Sequence, residues 1–287
     1  MISGFTLWFS RSHDFAEMDD DDSPILRLLP GCLRNGGRIK KARQLLAGGM
    51  VKLLSLDIFD TILLRNWSSE LERFAGAAAL MHRKFPRISQ EEFYEARALA
   101  HQMAYRSVPL VDGCREASAE RIFSIMARIL NMSPSEIPVM MEEELEYETG
   151  RLRVNPVVRT LLKDALVLNI AVIAVSDMYW SGKVLAGLLN KLLPEAEAIR
   201  HVYSSSDFGV SKESGLLFDR VIHETGCFPK DVLHLGDNHR ADFLIPRARN
   251  GIRSIWLPRS ALYCRFCELR QRYDKRILHE RNILHGL

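Results

Sequence analysis

Three short apolar runs that each end at an acidic or hydroxyl residue constrain the fold of this chain more than any other feature. Runs of this kind are typical of strands buried on both faces of a parallel sheet. Because the carboxyl ends of parallel strands meet at one edge of a sheet, the polar residues that follow them are expected to lie close together there. The runs and their polar ends are 51–56 with Asp57, 167–175 with Ser176 and Asp177, and 232–235 with Gly236 and Asp237.

Amphipathic helical patterns lie between these runs and complete the expected fold. They span 182–193, 215–225 and 241–250, and weaker strand patterns occur at 200–203 and 252–256. Strands that alternate with helices favour a mostly parallel sheet with helices on both faces. The sequence therefore predicts an α/β core with a doubly wound, Rossmann-like parallel sheet.

The stretch between Arg65 and Leu166 differs from the rest of the chain because its strand signal vanishes. Its apolar residues recur at three- and four-residue spacing, which indicates amphipathic helices. Ser133 and Glu136 form a capping-box pattern at the start of the last helix. We therefore predict an all-helical cap over residues 66–165, inserted after the first strand. Its helices are predicted at 71–85, 90–105, 117–130 and 133–147.

The two ends of the chain are predicted to lie outside the core and cap. Residues 1–50 are rich in Pro, Gly and charge, and are interpreted as an N-terminal extension with a short basic helix at 37–47. The segments 51–65 and 166–262 then form the α/β core. Basic and apolar residues interleave over 263–287, which predicts a basic helical tail that docks on the core or on a partner.

The composition excludes several classes of protein. The 287 residues are 47% hydrophobic and carry a formal charge of +3, values that suit a soluble globular chain and are too weakly basic to indicate nucleic-acid binding. No run approaches the ~18 consecutive apolar residues of a membrane span, and we expect no secretory signal. The five cysteines are scattered, and the lone CxxC of Cys264 and Cys267 is attributed to chance. We therefore expect a cytoplasmic protein without a membrane span.

The polar clusters at the predicted sheet edge have the composition of a phosphoryl-transfer site. Converging carboxylates create a hard-oxygen site that suits Mg²⁺. A hydroxyl and the ammonium of Lys212, which lies between the second and third clusters in the sequence, would hold an anion. A metal, an anion and a carboxylate nucleophile together describe phosphoryl transfer through an aspartyl phosphate. The clusters comprise Asp57 with Asp60 and Thr61, Ser176 with Asp177, and Asp237 with Asn238 and Asp242.

Four motifs in a fixed order carry a resemblance to a known family. They are LSLDIFDT at 54–61, VSD at 175–177, GVSKESG at 209–215 and GDNHRAD at 236–242. With these motifs, residues 51–257 resemble the haloacid dehalogenase (HAD) superfamily of phosphohydrolases, and the helical insertion is similar to that family's cap. The stretches DIFDTILLR, SDMYW, SKESGLLFDRV and LGDNHRAD also resemble a bacterial subgroup associated with polysaccharide biosynthesis. This subgroup often occurs with glycosyltransferases, which implies such an enzyme as a partner.

The resemblance assigns roles to individual residues. It implies that Asp57 is the nucleophile, that Ser176 hydrogen-bonds the transferring phosphoryl group, and that Lys212 places a cation against phosphate and nucleophile. It also implies a Mg²⁺ ion held by Asp57, Asp237 and the backbone carbonyl of Phe59. The remaining candidates are Asp177 and Arg65 as phosphate or substrate contacts, and Asp60, Thr61, Asn238 and Asp242 as supporting residues.

One position departs from the family pattern. Most phosphatases of the family have a second Asp two residues after the nucleophile, as general acid and base, whereas this chain has Phe59 there and Asp60 in place of the usual glycine. Positioned acid–base catalysis is worth roughly 10²–10⁴ in rate. Three alternatives stay open. Asp60 or Asp177 substitutes for the acid, the substrate has a good leaving group, or the protein is a weak enzyme whose main role is binding.

We expect a Mg²⁺-dependent phosphohydrolase that acts on a small phosphorylated metabolite, with a sugar phosphate as the first guess from the subgroup resemblance. The alternative is a weakly active or non-catalytic binding module in a glycan-assembly pathway. A dehalogenase is third. Dehalogenases of the family also lack the acid, but they lack the metal motif too, whereas Asp237 and Asp242 are present here. His234, inside a strand run, is interpreted as a core histidine with satisfied hydrogen bonds and not as a ligand.

Overall fold

A computed structural model of the chain describes residues 35–284 and contains the predicted parallel sheet. Its strands are β1 Leu53–Leu56, β2 Leu63–Leu64, β3 Arg153–Val154, β4 Ala171–Ser176, β5 Ile199–Ser204, β6 Val232–Gly236 and β7 Arg253–Trp256. Five of them form one sheet in the order β5-β4-β1-β6-β7, and every neighbouring pair in it is parallel. The prediction of a doubly wound α/β fold is therefore confirmed.

The helices surround this sheet and form the cap. In chain order they are α1 Gly36–Ala47, α2 Glu70–Lys84, α3 Gln90–Arg106, α4 Ala119–Ile129, α5 Ile137–Thr149, α6 Pro156–Val167, α7 Gly182–Leu192, α8 Ser205–Phe208, α9 Leu216–Thr225, α10 Ile245–Ala248 and α11 Ala261–Glu280. Short 3-10 turns and a π-helical segment, His239–Leu244, complete the regular structure of the described residues.

Alternate residues of β1 face opposite sides of the sheet, and helices cover both sides. Leu54 and Leu56 belong to a core cluster that includes buried residues of α1, α6 and α7. Leu53 belongs to a second cluster, which it shares with buried residues of α9. Every residue of β1 is buried, as expected for the central strand of a parallel sheet with helices on both faces. The residues that follow β1 are therefore held on a rigid support.

The helical insertion consists of α2, α3, α4 and α5, and all four helices predicted there are found. Ser69 and Glu72 form a capping box that starts α2. The predicted capping box of Ser133 and Glu136 is also present, but it starts a 3-10 turn, Pro134–Glu136, that precedes α5. The helical insertion expected from the apolar spacing is thus in place.

The apolar run at 167–175 is only partly a strand, which corrects the prediction. Asn155 caps a helix that begins at Pro156 and ends at Val167, so β4 starts only at Ala171. Val167 is 81% exposed and does not enter the sheet. This helix, α6, packs against α1 and β4, although the predicted cap extends to residue 165. The division of the chain into domains stays a prediction.

A small antiparallel ladder of β2 and β3 was not predicted. Leu63 pairs with Val154, and Leu64 pairs with Arg153, at the point where the chain leaves the core for the cap and returns from it. Strands of two residues are too short to show a period in the sequence. The ladder ties the two crossings together, so it marks the hinge of the insertion.

The two ends of the described chain both pack on the rest of the molecule. α1 is present as predicted and buries Ile39, Ala42 and Leu46 in the core cluster. The first 34 residues of the predicted N-terminal extension lie outside the described residues. α11 packs along the cap helix α2, where the Gln271 side chain accepts a hydrogen bond from the Leu71 amide at 3.1 Å. Within residues 35–284, no helix is long and apolar enough to cross a membrane.

Candidate active site

A buried lysine joins two carboxylates at the carboxyl edge of the sheet. Asp57 directly follows β1, and Asp242 lies in the π-helical segment after β6. The Lys212 ammonium donates hydrogen bonds to Asp57 Oδ1 at 2.7 Å and to Asp242 Oδ1 at 2.6 Å. The three side chains are at most 8% exposed. The structure therefore brings the predicted nucleophile, the predicted cation and a supporting residue into direct contact.

Asp237 adds a third carboxylate to this group. Oxygen atoms of Asp57, Asp237 and Asp242 all lie within 4.8 Å of one another. Burial raises the pKa of Asp57 to about 7, against the attraction of Lys212 and with repulsion from Asp242. Burial and the neighbouring carboxylates of Asp60, Asp57 and Asp242 raise the pKa of Asp237 well above its ordinary value. One ammonium therefore does not balance the negative charge of this cluster.

The donor set of this cluster fits a hard divalent cation. Carboxylate oxygens and backbone carbonyls are the ligands that Mg²⁺ takes in proteins. The predicted carbonyl ligand, that of Phe59, accepts no backbone hydrogen bond from the described residues, whereas the adjacent Ile58 carbonyl accepts one from Leu63 at 2.8 Å. Asp57 and Asp237, two of the predicted ligands, contribute oxygens to this cluster, and Asp57 Oδ1 also accepts the hydrogen bond from Lys212.

Asp242 is held in place from several sides. Its Oδ2 accepts the Asn238 amide at 2.9 Å, and its Oδ1 faces His234 Nε2 at 3.1 Å as well as Lys212. Burial alone would raise the pKa of Asp242, but Lys212 and His234 together hold this pKa below its ordinary value. His234 Nδ1 lies 2.8 Å from Ser55 Oγ, so both ring nitrogens have partners, as expected of a satisfied core histidine.

Two of the predicted site residues carry buried hydroxyls: Ser176, predicted as a phosphate contact, and Thr61, predicted as a supporting residue. Ser176 ends β4 and is 1% exposed. The Thr61 hydroxyl is buried beside Asp57, yet it makes no hydrogen bond of ordinary geometry to any described residue. Because a buried hydroxyl without a partner is costly, this atom suits a ligand oxygen.

Asp177 is placed to hold the lysine loop. Its Oδ1 accepts the backbone N–H of Lys212 at 2.7 Å. Burial raises the pKa of Asp177 to about 6, although the Lys212 ammonium and amide oppose the increase. The Asp177 carboxylate was predicted as a phosphate or substrate contact. In the structure it holds the backbone of Lys212.

The Asp60 side chain accepts hydrogen bonds from residues in the C-terminal part of the chain. Asp60 adopts a left-handed conformation with φ of 62°, which glycine adopts freely and which Asp tolerates better than most residues. Its Oδ1 accepts hydrogen bonds from the Arg259 guanidinium, from the Arg65 amide at 3.1 Å and from the Tyr263 hydroxyl at 3.3 Å. These contacts hold the Asp60 side chain in place.

Phe59 and Arg65 form a stack beside the nucleophile loop. The Arg65 guanidinium carbon lies 4.0 Å from the centroid of the Phe59 ring. Phe59 is 7% exposed, so position 59 supplies a buried ring and no carboxyl group. Asn238, a predicted supporting residue, caps the π-helical segment by accepting the amides of Arg240 and Ala241 at 2.9 and 3.0 Å.

Residues of the helical insertion contact the core near this edge of the sheet. The Ala119 amide donates to the Tyr179 carbonyl at 2.7 Å, and Asp112 forms an ion pair with Arg249. Burial raises the pKa of Glu116, a cap residue, to about 8, and the nearby Asp177 carboxylate adds to the increase. These contacts connect residues of the cap to residues of the core near the carboxylate cluster.

Several residues at the site were not among the predicted ones. Glu116, Arg259 and Tyr263 come from segments far from the motifs, and no local pattern distinguishes them. His234 was predicted as a core histidine with satisfied hydrogen bonds, and from β6 its ring also contacts Asp242.

Solved structures of HAD-type proteins resemble this chain weakly. No protein-family model and no curated protein matches it. A HAD-family enzyme from Bacteroides thetaiotaomicron has 12% identity, covers 74% of this chain and 95% of its own, and gives a TM-score of 0.48. A haloacid dehalogenase-like hydrolase from Xanthomonas campestris has 12% identity, with 80% and 96% coverage and a TM-score of 0.48.

The neighbours include both hydrolases and dehalogenases. L-2-haloacid dehalogenase from Xanthobacter autotrophicus has 17% identity, covers 67% of this chain and 72% of its own, and gives a TM-score of 0.42. The Bacteroides enzyme has also been solved in complex with magnesium and inorganic phosphate. Because these TM-scores lie below 0.5, the likenesses carry no conclusion about what this chain does.

Proposed function

We propose that this protein is a Mg²⁺-dependent HAD-type phosphohydrolase that acts on a small phosphorylated metabolite. The observation that carries the proposal is the carboxylate cluster. Oxygens of Asp57, Asp237 and Asp242 converge within 4.8 Å, while the Lys212 ammonium contacts only two of these carboxylates. Buried like charges of this kind are unfavourable without a compensating cation.

Asp57 is the proposed nucleophile. Its carboxylate oxygen attacks phosphorus in line, and the bond from phosphorus to the leaving-group oxygen breaks. Lys212, Ser176 and Thr61 are the proposed donors to the phosphoryl oxygens. When bound, Mg²⁺ supplies charge neutralisation between nucleophile and phosphate. Water then hydrolyses the aspartyl phosphate and releases inorganic phosphate.

The absence of a carboxylate at position 59 affects the expected rate. Asp60 is engaged by Arg259, and Asp177 is engaged by the Lys212 amide. Neither carboxylate is thus free to replace the missing acid, and we infer slow turnover unless the leaving group is good, as in an acyl or anomeric phosphate.

Restoring the acid tests this explanation. Phe59→Asp should raise kcat for a simple phosphomonoester about 10-fold or more. Phe59→Leu is the matched control, because it also removes the ring but adds no carboxyl group. If Phe59→Asp leaves kcat unchanged or lower, the missing acid does not limit the rate.

A second candidate is a binding module that is weakly active or non-catalytic. The buried ring of Phe59 favours it, because an acid that would accelerate turnover is missing while the Lys212 ammonium lies beside Asp57 and can bind an anion. Such a protein would bind a phosphorylated ligand in the presence of Mg²⁺ and release no phosphate.

The decisive experiment assays purified protein against phosphorylated metabolites with Mg²⁺ and with EDTA, and scores phosphate release. Phosphate release that requires Mg²⁺ and is lost in Asp57→Asn supports the phosphohydrolase. Binding of beryllofluoride without turnover supports the binding module. Halide release from haloacids, without any need for Mg²⁺, contradicts both and favours a dehalogenase.

The finer predictions concern the cellular setting. The polysaccharide-associated subgroup, a sugar phosphate as substrate, a glycosyltransferase partner and a cytoplasmic location all remain proposals. Affinity purification of the full chain tests the partner, since a glycosyltransferase should be retained with it at moderate salt.

A further inference from the structure

The side chain of Arg65 is buried but makes no hydrogen bond within residues 35–284. Its side chain is 14% exposed, and its Nε atom is fully buried without a hydrogen-bond partner. Its guanidinium carbon lies 4.0 Å from the centroid of the Phe59 ring. A guanidinium carries five N–H donors, and leaving the buried Nε–H among them without an acceptor is costly.

The carboxylates around Arg65 are closer to other arginines. Glu148 Oε1 lies 2.9 Å from Arg73 Nε, whereas Glu148 Oε2 is 3.8 Å from Arg65 Nε. Asp60 Oδ1 is hydrogen-bonded to Arg259, whereas Asp60 Oδ2 is 3.9 Å from Arg65 Nη1. Both carboxylates have a shorter ion pair elsewhere, so neither satisfies the Arg65 fork.

This arginine stands next to the proposed reaction centre. Its backbone amide donates to Asp60 Oδ1, three residues after the nucleophile Asp57. The Asp60 carboxylate is close enough to Asp237 to raise the pKa of Asp237. Arg65 also follows β2 at the hinge, and Glu148 reaches it from α5 of the cap. The guanidinium thus lies where core and cap meet, beside the carboxylate cluster.

We propose that Arg65 is a subsite for a second anionic group of the substrate, a carboxylate or a second phosphate, separate from the phosphoryl group that is transferred. The proposal rests on the proposed function, because the second anion belongs to the same substrate molecule. A planar fork of N–H donors fits two oxygens of such a group at once. The Phe59 ring supports the opposite face of the guanidinium and fixes its plane.

Binding of three phosphonates to the full chain in Mg²⁺ tests the subsite without turnover. The first probe, propylphosphonate, carries no second anion. The second, 3-phosphonopropionate, carries a carboxylate as its second anion, and the third, propane-1,3-diphosphonate, carries a second phosphonate. Calorimetry should show at least one bifunctional probe binding about 10-fold or more tightly than propylphosphonate. The tighter of the two identifies the kind of anion.

Variants of Arg65 test whether this residue causes any preference for the bifunctional probes. Arg65→Gln should remove the preference, and Arg65→Lys should restore only part of it, since an ammonium keeps the charge but loses the fork. Arg151→Gln is the matched control, because Arg151 also stacks on an aromatic ring, Tyr147 at 3.6 Å, but is exposed on the cap. It should leave all three affinities within about twofold, and circular dichroism checks that each variant is folded.

The outcomes separate the subsite from the proposed function. Equal affinity for the three probes, or an unchanged preference in folded Arg65→Gln, overturns the subsite while phosphate release by the wild type still supports the phosphohydrolase. A preference that depends on Arg65 in a protein without phosphate release supports the subsite and favours the binding module. In an active protein, Arg65→Gln should raise KM about 10-fold for a bifunctional substrate and leave kcat nearly unchanged.

Discussion

Two buried clusters of charged side chains, one in the core and one in the cap, are built on opposite principles. In the cap, Arg97 donates to both oxygens of Glu144 at 2.6 and 2.8 Å, and the Tyr179 hydroxyl donates to the same carboxylate at 2.9 Å. In the core, Lys212 is shared between Asp57 and Asp242, while Asp237 adds further negative charge. The cap cluster is balanced, and the core cluster is not.

This difference indicates what each cluster does. A one-to-one pair with good geometry has no need for a ligand, so the Arg97–Glu144 pair is best explained as a part of the fold that connects α3 to α5. The core cluster holds more carboxylates than cations and includes groups with raised pKa values, which is typical of functional sites. Both clusters are buried, so burial does not distinguish them. The balance between positive and negative charges does.

The largest expected effect is a loss of phosphate release when a carboxylate of the core cluster is replaced. Asp57→Asn should lower phosphate release about 10³-fold or more, because the amide cannot act as the nucleophile. It should not lower the metal-free stability, since it removes one of the crowded negative charges. Asp231→Asn, which breaks a surface ion pair with Lys52, is the control and should keep full activity. Activity that survives in Asp57→Asn would contradict the nucleophile assignment.

The next largest expected effect is a loss of stability when the ion pair of the cap cluster is broken. Glu144→Gln should lower the free energy of unfolding by about 3–5 kcal/mol, since it leaves the buried Arg97 charge uncompensated. Glu146→Gln breaks the exposed pair with Lys191 and should cost under about 1 kcal/mol. Urea unfolding measures both. Similar losses in the two variants would mean that the Arg97–Glu144 pair is not a structural ion pair of the kind described.

A smaller expected effect is a change of protein stability with pH, caused by the core cluster. The pKa of Asp57 is about 7 in the folded protein, against an ordinary value of 3.8. The folded state therefore binds more protons than the unfolded state between these values, and stability without metal should fall as pH rises from about 4 to 7. Asp242, whose pKa is lowered, is ionised in both states over this range and adds no slope.

Mg²⁺ should oppose this loss of stability. At 100 times its dissociation constant it should add about 2.7 kcal/mol to the free energy of unfolding. Thermal unfolding in EDTA and in Mg²⁺ at pH 4.5 and 7.5 measures the change, with Asp57→Asn as the control that lacks one ligand. Equal unfolding temperatures in EDTA and Mg²⁺ at pH 7.5 would contradict the metal site.

The smallest effect concerns the hydroxyl of Tyr179 in the cap cluster. Tyr179→Phe removes one hydrogen bond to Glu144 but keeps the ion pair with Arg97. The expected loss is about 1 kcal/mol of unfolding free energy, measured by urea unfolding beside Glu144→Gln. A loss as large as that of Glu144→Gln would show that the hydroxyl, and not the ion pair, satisfies the carboxylate.

Much of the sheet could be predicted from the sequence, because buried parallel strands leave a continuous apolar run that ends at a polar residue. That pattern located β1 and β6 and placed Asp57 and Asp237 at the same edge. It failed at 167–170, where an apolar stretch turned out to be the end of α6 and a turn, with Val167 81% exposed. Apolarity alone does not separate a buried strand from an exposed turn.

Contacts between distant segments could not be predicted in this way. The engagement of Asp60 by Arg259 and Tyr263 joins residues about 200 positions apart, and no local period records such a pairing. The Arg97–Glu144 pair was missed for the same reason, because it depends on how α3 lies against α5.

The sequence by itself determined the alternation of the five core strands with helices, the helical insertion, and the residue types at each strand end, since period and polarity are local properties. Only the tertiary structure decided that Asp60 and Asp177 already accept hydrogen bonds, that Arg65 stacks on Phe59, and that residues of the cap contact the core near the carboxylate cluster. Those features depend on distances between side chains from separate elements, and only the packing of the helices against the sheet fixes such distances.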